Sequence, residues 1–170
     1  MSYESIRPYI QDGDLIAFKT PSGVFPRLIR LFTGKPYTHL AGALWLDDGL
    51  WIAEMDGLKN VLVPLSQYAK IPFEVFTCPV SDREAVRSQI LESLRDHISY
   101  DWGDIFRLGL YFLFRVRLPK ENDSLQCASW MARAYLRSGW QPALKLPSIP
   151  WPGIVVEALG VPSRLENPAR

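Results

Sequence analysis

Two apolar runs, residues 37–46 and 50–55, flank an Asp47-Asp48-Gly49 turn, and they limit the folds open to this chain more than any other feature. An Asp-Gly step between such runs is a strong short-range signal for a β-hairpin. Residues 15–18 follow an Asp12-Gly13-Asp14 turn and read as a short buried strand. Residues 61–64 and 73–78 supply two more, so an antiparallel sheet of about five strands is expected. Helical spacing then takes over. Residues 24–32 carry apolar side chains at helical intervals and end at Gly34-Lys35-Pro36. Ser81 and Glu84 form a capping box for a helix to about Ile98, with Val86, Ile90, Leu91, Leu94 and Ile98 inward. A second helix is expected over 102–114. A third, over 125–138, would be capped by Ser124 and stopped by Gly139, with Ala128, Met131, Ala132, Tyr135 and Leu136 buried. The segment 140–170 is Pro-rich, with one apolar run at 153–159. No repeat or linker divides residues 1–170, and the pattern is that of a single α+β domain.

Composition narrows the functional classes. The chain is 48% apolar and 22% charged with a formal charge of +1, and no Lys/Arg block marks a nucleic-acid surface. The apolar stretch 105–118 is interrupted by Arg107, Arg115 and Arg117, and falls short of the roughly 20 apolar residues of a membrane span. It could lie against a membrane surface, but a core helix with snorkelling arginines is the favoured reading. The first residues have neither the basic nor the apolar region of a secretory signal, which suits a cytoplasmic protein or a phage product. Two cysteines make no disulfide framework, and a reducing compartment would keep a thiol available. No cofactor or metal is expected.

The chemistry then turns on few residues. Cys127 falls near the start of the third helix, where the helix dipole and unpaired N–H groups favour a thiolate. The bland alternative is a buried structural cysteine, which is the better reading for Cys78 in its strand. A reactive thiol needs a base, and the chain has two histidines. His97 is explained as a favourable charge at a helix C-terminus, whereas His39 sits on a strand among small residues with room for another element. Two carboxylates, Glu54 and Asp56, lie on the return strand of the hairpin. Turns centred on Asp48 or on Asp48-Gly49 set Glu54 opposite Gly42 or Ala43, and the second puts it on the His39 face. Glu54 is flanked by apolar residues, an unusual place for an unpaired carboxylate, while Asp56 suits a solvated turn.

The order of these pieces resembles the permuted papain-like group that includes the NlpC-type YaeF/YiiX enzymes. The matching segments are Asp12-Gly13-Asp14-Leu15-Ile16-Ala17-Phe18, Thr38-His39-Leu40-Ala41-Gly42-Ala43, Ile52-Ala53-Glu54, Tyr100-Asp101 and Leu125-Gln126-Cys127-Ala128-Ser129-Trp130. In papain the cysteine helix precedes the histidine strand; in the permuted group the strand comes first, as here. The resemblance implies a circularly permuted papain-like fold and a triad of Cys127 as nucleophile, His39 as general base and acid, and Glu54 orienting the imidazole. Tyr100, Asp101, Trp130 and Tyr37 are the candidate substrate contacts. The family's Cys-Ser-Glu-Leu-Val appears here as Cys-Ala-Ser-Trp-Met, a departure beside the nucleophile that bears on substrate preference. The implied activity is that of an amidase or peptidase on cell-wall peptides or related amides. The alternatives are a lipid acyl hydrolase or acyltransferase, and a binding or virion protein that keeps the fold.

Overall fold

The computed structural model describes residues 2–19, 27, 30–31, 33–47, 49–55, 59–96 and 126–168. The expected helix over 102–114, the stretch 105–118, and Asp56, His97, Tyr100, Asp101 and Ser124 lie outside them. Among the described residues, β1 (Leu15–Phe18), β2 (His39–Leu46), β3 (Gly49–Met55), β4 (Asn60–Pro64), β5 (Phe73–Phe76) and β6 (Leu165–Asn167) form one sheet. All pairings are antiparallel, in the order β4-β3-β2-β1-β5-β6. The helices are α1 (Tyr3–Ile6), α2 (Arg83–Arg95), α3 (Cys127–Arg137) and α4 (Pro152–Leu159). Arg27, Arg30 and Leu31, within the expected 24–32 helix, are helical. The fold is α+β, an open sheet packed with helices. No helix among the described residues is long and apolar enough to cross a membrane.

Both faces of the sheet are covered. One face, with Leu15, Ala17, Leu40, Leu44, Ala53 and Met55, packs on α2, α3 and α4 through Val86, Ile90, Met131, Tyr135 and Val155. The other, with Ile16, Phe18, Ala41, Ala43, Ile52 and Val75, is closed by Tyr3, Ile6, Ile10 and Leu65. Burial on both sides is why β1 and β2 read as continuous apolar runs instead of alternating.

Several expectations are corrected. The sixth strand comes from the Pro-rich tail, where Leu165, Glu166 and Asn167 pair with Val75, Glu74 and Phe73. Three residues are too few to show a period; Asn167 is held there by its amide, which donates to the carbonyls of Ala69 and Ile71 at 3.0 Å each. The α2 cap is Asp82, whose carboxylate accepts the Ala85 N–H at 3.0 Å, not Ser81. Asp82 meets the same need one residue later and adds a negative charge at the positive helix end. The α3 N-cap is Gln126, not Ser124, which makes Cys127 the first helical residue. Leu136, expected in the core, is 46% exposed.

The hairpin register also differs. Leu46 pairs with Gly49 and Ala41 with Glu54, so the paired strands close two positions apart, ahead of Gly49. Gly49, at φ +145°, has already entered the strand in a conformation that suits glycine. The ladder is therefore shifted by two residues from the favoured register, and a shift of two preserves the face.

Gly42 is the one strand position where side-chain absence matters for packing. A Cβ there would lie 2.8 Å from Ile90 Cδ1 and 3.1 Å from Met131 Cε. The lack of a side chain lets α2 and α3 press onto β2. Both neighbours are flexible side-chain ends, so Gly42→Ala is expected to cost about 1 kcal/mol, the low end for overpacking. Urea denaturation measures it, and a midpoint at or above that of the wild type would show the contact to be slack.

Candidate active site

Three elements converge at the end of the β2–β3 ladder. His39 is the first residue of β2, two beyond Ala41, the last β2 residue paired with β3, and thus on the same face as Glu54. Its Nε2 lies 2.7 Å from Glu54 Oε2. From the opposite face, α3 delivers Cys127 at its first position, and the Cys127 sulfur lies beside His39, close enough for each to shift the other's titration. With Nε2 held by Glu54, Nδ1 is the ring nitrogen left for the sulfur. The backbone N–H groups of Leu40 and Ala128 also act on that sulfur, favouring its anion. Leu40 lies past the last β2–β3 pair, so its N–H is not needed by that ladder.

The electrostatics favour an ion pair. Burial pushes the Cys127 thiol up, but the His39 charge and hydrogen bond, then the Leu40 and Ala128 N–H groups, hold it below its ordinary value. Enclosure pulls His39 down, yet Cys127 and Glu54 together raise it to about 10. Both shifts run in the direction that favours imidazolium beside thiolate. The N-terminus of α3 adds its positive dipole end to the same anion. By linkage, the stability His39 contributes is present below its unfolded value and lost as pH rises through about 10. The part from Cys127 is present above the unfolded thiol value and lost as pH falls through the depressed one.

Glu54 is 4% exposed, and both its oxygens are used. Oε2 faces His39, and Oε1 accepts the hydroxyl of Tyr68 from the 3-10 turn Leu65–Tyr68. Sequence reading missed Tyr68, because nothing in Ser66-Gln67-Tyr68 marks it as polar support for a strand fourteen residues away. Gln126 was missed as a clamp. Its buried amide donates to the Pro150 carbonyl at 2.8 Å, which ties the turn before α4 to the residue preceding the nucleophile.

The other candidates have partners of their own. Trp130, expected to line a cleft, is 2% exposed in the core, and its indole N–H donates to Ser93 Oγ at 3.0 Å. The start of α3 is enclosed all round, with Cys127 through Ala132 all buried, so Trp130 meets protein on every side. The Tyr37 hydroxyl donates to Glu74 Oε2 at 2.6 Å, and its ring packs on Phe76. Cys78 is buried, its thiol pushed up by burial, and donates to the Val80 carbonyl at 3.4 Å. Among the described residues, no group of three or more His, Cys, Asp or Glu is placed to hold a metal ion. Compared with protein-family models and with curated proteins, the chain matches none.

Proposed function

We propose that the protein is a cysteine hydrolase of the permuted papain-like (NlpC-type) class, cleaving an amide through a thioester acyl-enzyme. The observation that carries this reading is the chain of contacts from Cys127 to His39 to Glu54, with the sulfur at a helix N-terminus. The strand-before-helix order of His39 and Cys127 supports the permuted arrangement. The Cys127 thiolate attacks the carbonyl carbon, and the electron pair of the carbonyl moves onto oxygen. The Cys127 N–H, at the first helical position, has no acceptor within the helix and is the donor assigned to that oxyanion. Imidazolium at His39 protonates the departing amine as the C–N bond breaks, leaving a thioester. His39, now neutral, takes a proton from water, whose oxygen attacks the thioester; the acid leaves and the thiolate–imidazolium pair is restored. Glu54 keeps the ring oriented and its charge compensated throughout.

Cell-wall peptides or related amides are the substrates this class suggests. The test compares wild type with Cys127→Ala on muropeptides, acyl esters and phospholipids. Cleavage of muropeptides is expected to fall by at least about a thousandfold in the variant, with a mass increase on Cys127 when the wild-type reaction is quenched early. Equal turnover by the variant would rule out the cysteine mechanism, and cleavage confined to esters or phospholipids would transfer the activity to lipid substrates.

A further inference from the structure

Glu54 is nearly closed to water, so its Oε1 depends on protein for a donor, and Tyr68 provides one. The phenol is held in place by Phe18, whose ring centroid lies 4.9 Å from that of Tyr68 and 5.8 Å from that of His39. One apolar ring thus packs against two groups that grip the Glu54 carboxylate. The neighbouring strands present only Ala41 on β2 and Val61 on β4 opposite Glu54. Among the described residues, the titratable groups facing the carboxylate are therefore His39 from β2 and Tyr68 from the turn after β4, with Cys127 of α3 acting through His39.

We propose that Tyr68 is a positioning residue that locks the Glu54 carboxylate against His39 and so sets how strongly His39 supports the Cys127 nucleophile. This rests on the cysteine-hydrolase reading and extends it to a residue outside the triad. The O–H to carboxylate bond prevents rotation of the carboxylate away from Nε2. It also favours the ionised form of Glu54, which is the form that stabilises imidazolium. Without the hydroxyl, Oε1 has one donor fewer, the carboxylate binds a proton more readily, imidazolium is less favoured, and the Cys127 thiolate forms only at higher pH.

The measurement needs no substrate. The rate of iodoacetamide alkylation at Cys127 is followed against pH in wild type, Tyr68→Phe, Glu54→Gln and the double variant, below the unfolding temperature of each. Tyr68→Phe keeps the ring against Phe18. It is expected to move the midpoint of the profile upward by on the order of one pH unit, about tenfold in rate on the acid limb. Glu54→Gln is expected to move it further, and the double variant no further than Glu54→Gln alone. An unmoved midpoint in Tyr68→Phe beside a shifted Glu54→Gln overturns the role of Tyr68 and leaves the Cys–His reading intact. A full additional shift in the double variant overturns it too, since Tyr68 would then act by another route. A wild-type Cys127 that titrates like Cys78 overturns the Cys–His reading and the role of Tyr68 with it.

Discussion

At pH 6.5, iodoacetamide is expected to alkylate Cys127 at least about tenfold faster than Cys78. Access does not separate the two, since Cys127 is 6% exposed and Cys78 7%. Charge does. Cys78 donates its S–H to the Val80 carbonyl and is pushed up by burial, whereas Cys127 is held down by His39, by two backbone N–H groups and by its helix terminus. A thiolate of lower basicity is also a weaker intrinsic nucleophile, so the ratio is largest in acid and narrows as ordinary thiols ionise. His39→Ala removes the counter-ion and is expected to slow Cys127 at pH 6.5 while leaving Cys78 unchanged. Peptide mass spectrometry after timed quenching gives both rates from one sample. Equal labelling of the two cysteines, or a Cys127 rate indifferent to His39→Ala, would remove the activated nucleophile. Hydrolysis is expected to follow a bell whose acid limb lies below the usual thiol range and whose alkaline limb falls near 10, where His39 loses the proton owed to the leaving group.

The hairpin was legible because turn and apolar runs are local, and Glu54 stood out as a carboxylate among Ile52, Ala53 and Met55. Its face followed from parity alone, so a register error of two residues left the His39–Glu54 relation unharmed. What the sequence hides is partnership over long separations. Tyr68 meets Glu54 across a turn with no periodic signature. The short β6 exists because Asn167 finds two carbonyls nearly a hundred residues back. Trp130 illustrates a different limit: it shares a helix face with Cys127 at i, i+3, yet one turn further along that face the helix is packed in the core. Asp14 shows the limit most plainly. Its Asp12-Gly13-Asp14 setting reads as a turn, with nothing to mark the side chain as fully buried.

That burial makes Asp14→Asn the substitution with the largest expected stability loss. Oδ1 accepts the Cys78 N–H at 3.0 Å and Arg83 Nη1 at 2.8 Å; Oδ2 accepts the Gln11 N–H at 2.9 Å and Arg164 Nη2 at 2.8 Å. One carboxylate thus ties the turn before β1 to the end of β5, the first turn of α2 and the segment entering β6. An asparagine has the right shape, but whichever way its amide is flipped the NH2 group faces two donors. Breaking a buried ionic contact by removing one partner typically costs about 3–5 kcal/mol. Arg83 and Arg164 are only partly buried, with 28% and 34% of their side chains exposed, and they recover some hydration. The expected loss is therefore about 3 kcal/mol, a fall in Tm of roughly 6–12 °C for a chain of this size. Arg83→Gln and Arg164→Gln leave the other guanidinium in place and should each cost roughly 1 kcal/mol. A loss under about 1 kcal/mol for Asp14→Asn would mean that water substitutes freely for the carboxylate. Asp14 adjoins the Leu15 end of β1, while His39 pairs with Phe18 at the other end. The same variant, kept below its transition, should therefore retain the Cys127 labelling rate, while Cys78, whose N–H donates to Asp14, is free to change; this separates the staple that holds the fold from the contacts that activate the thiol.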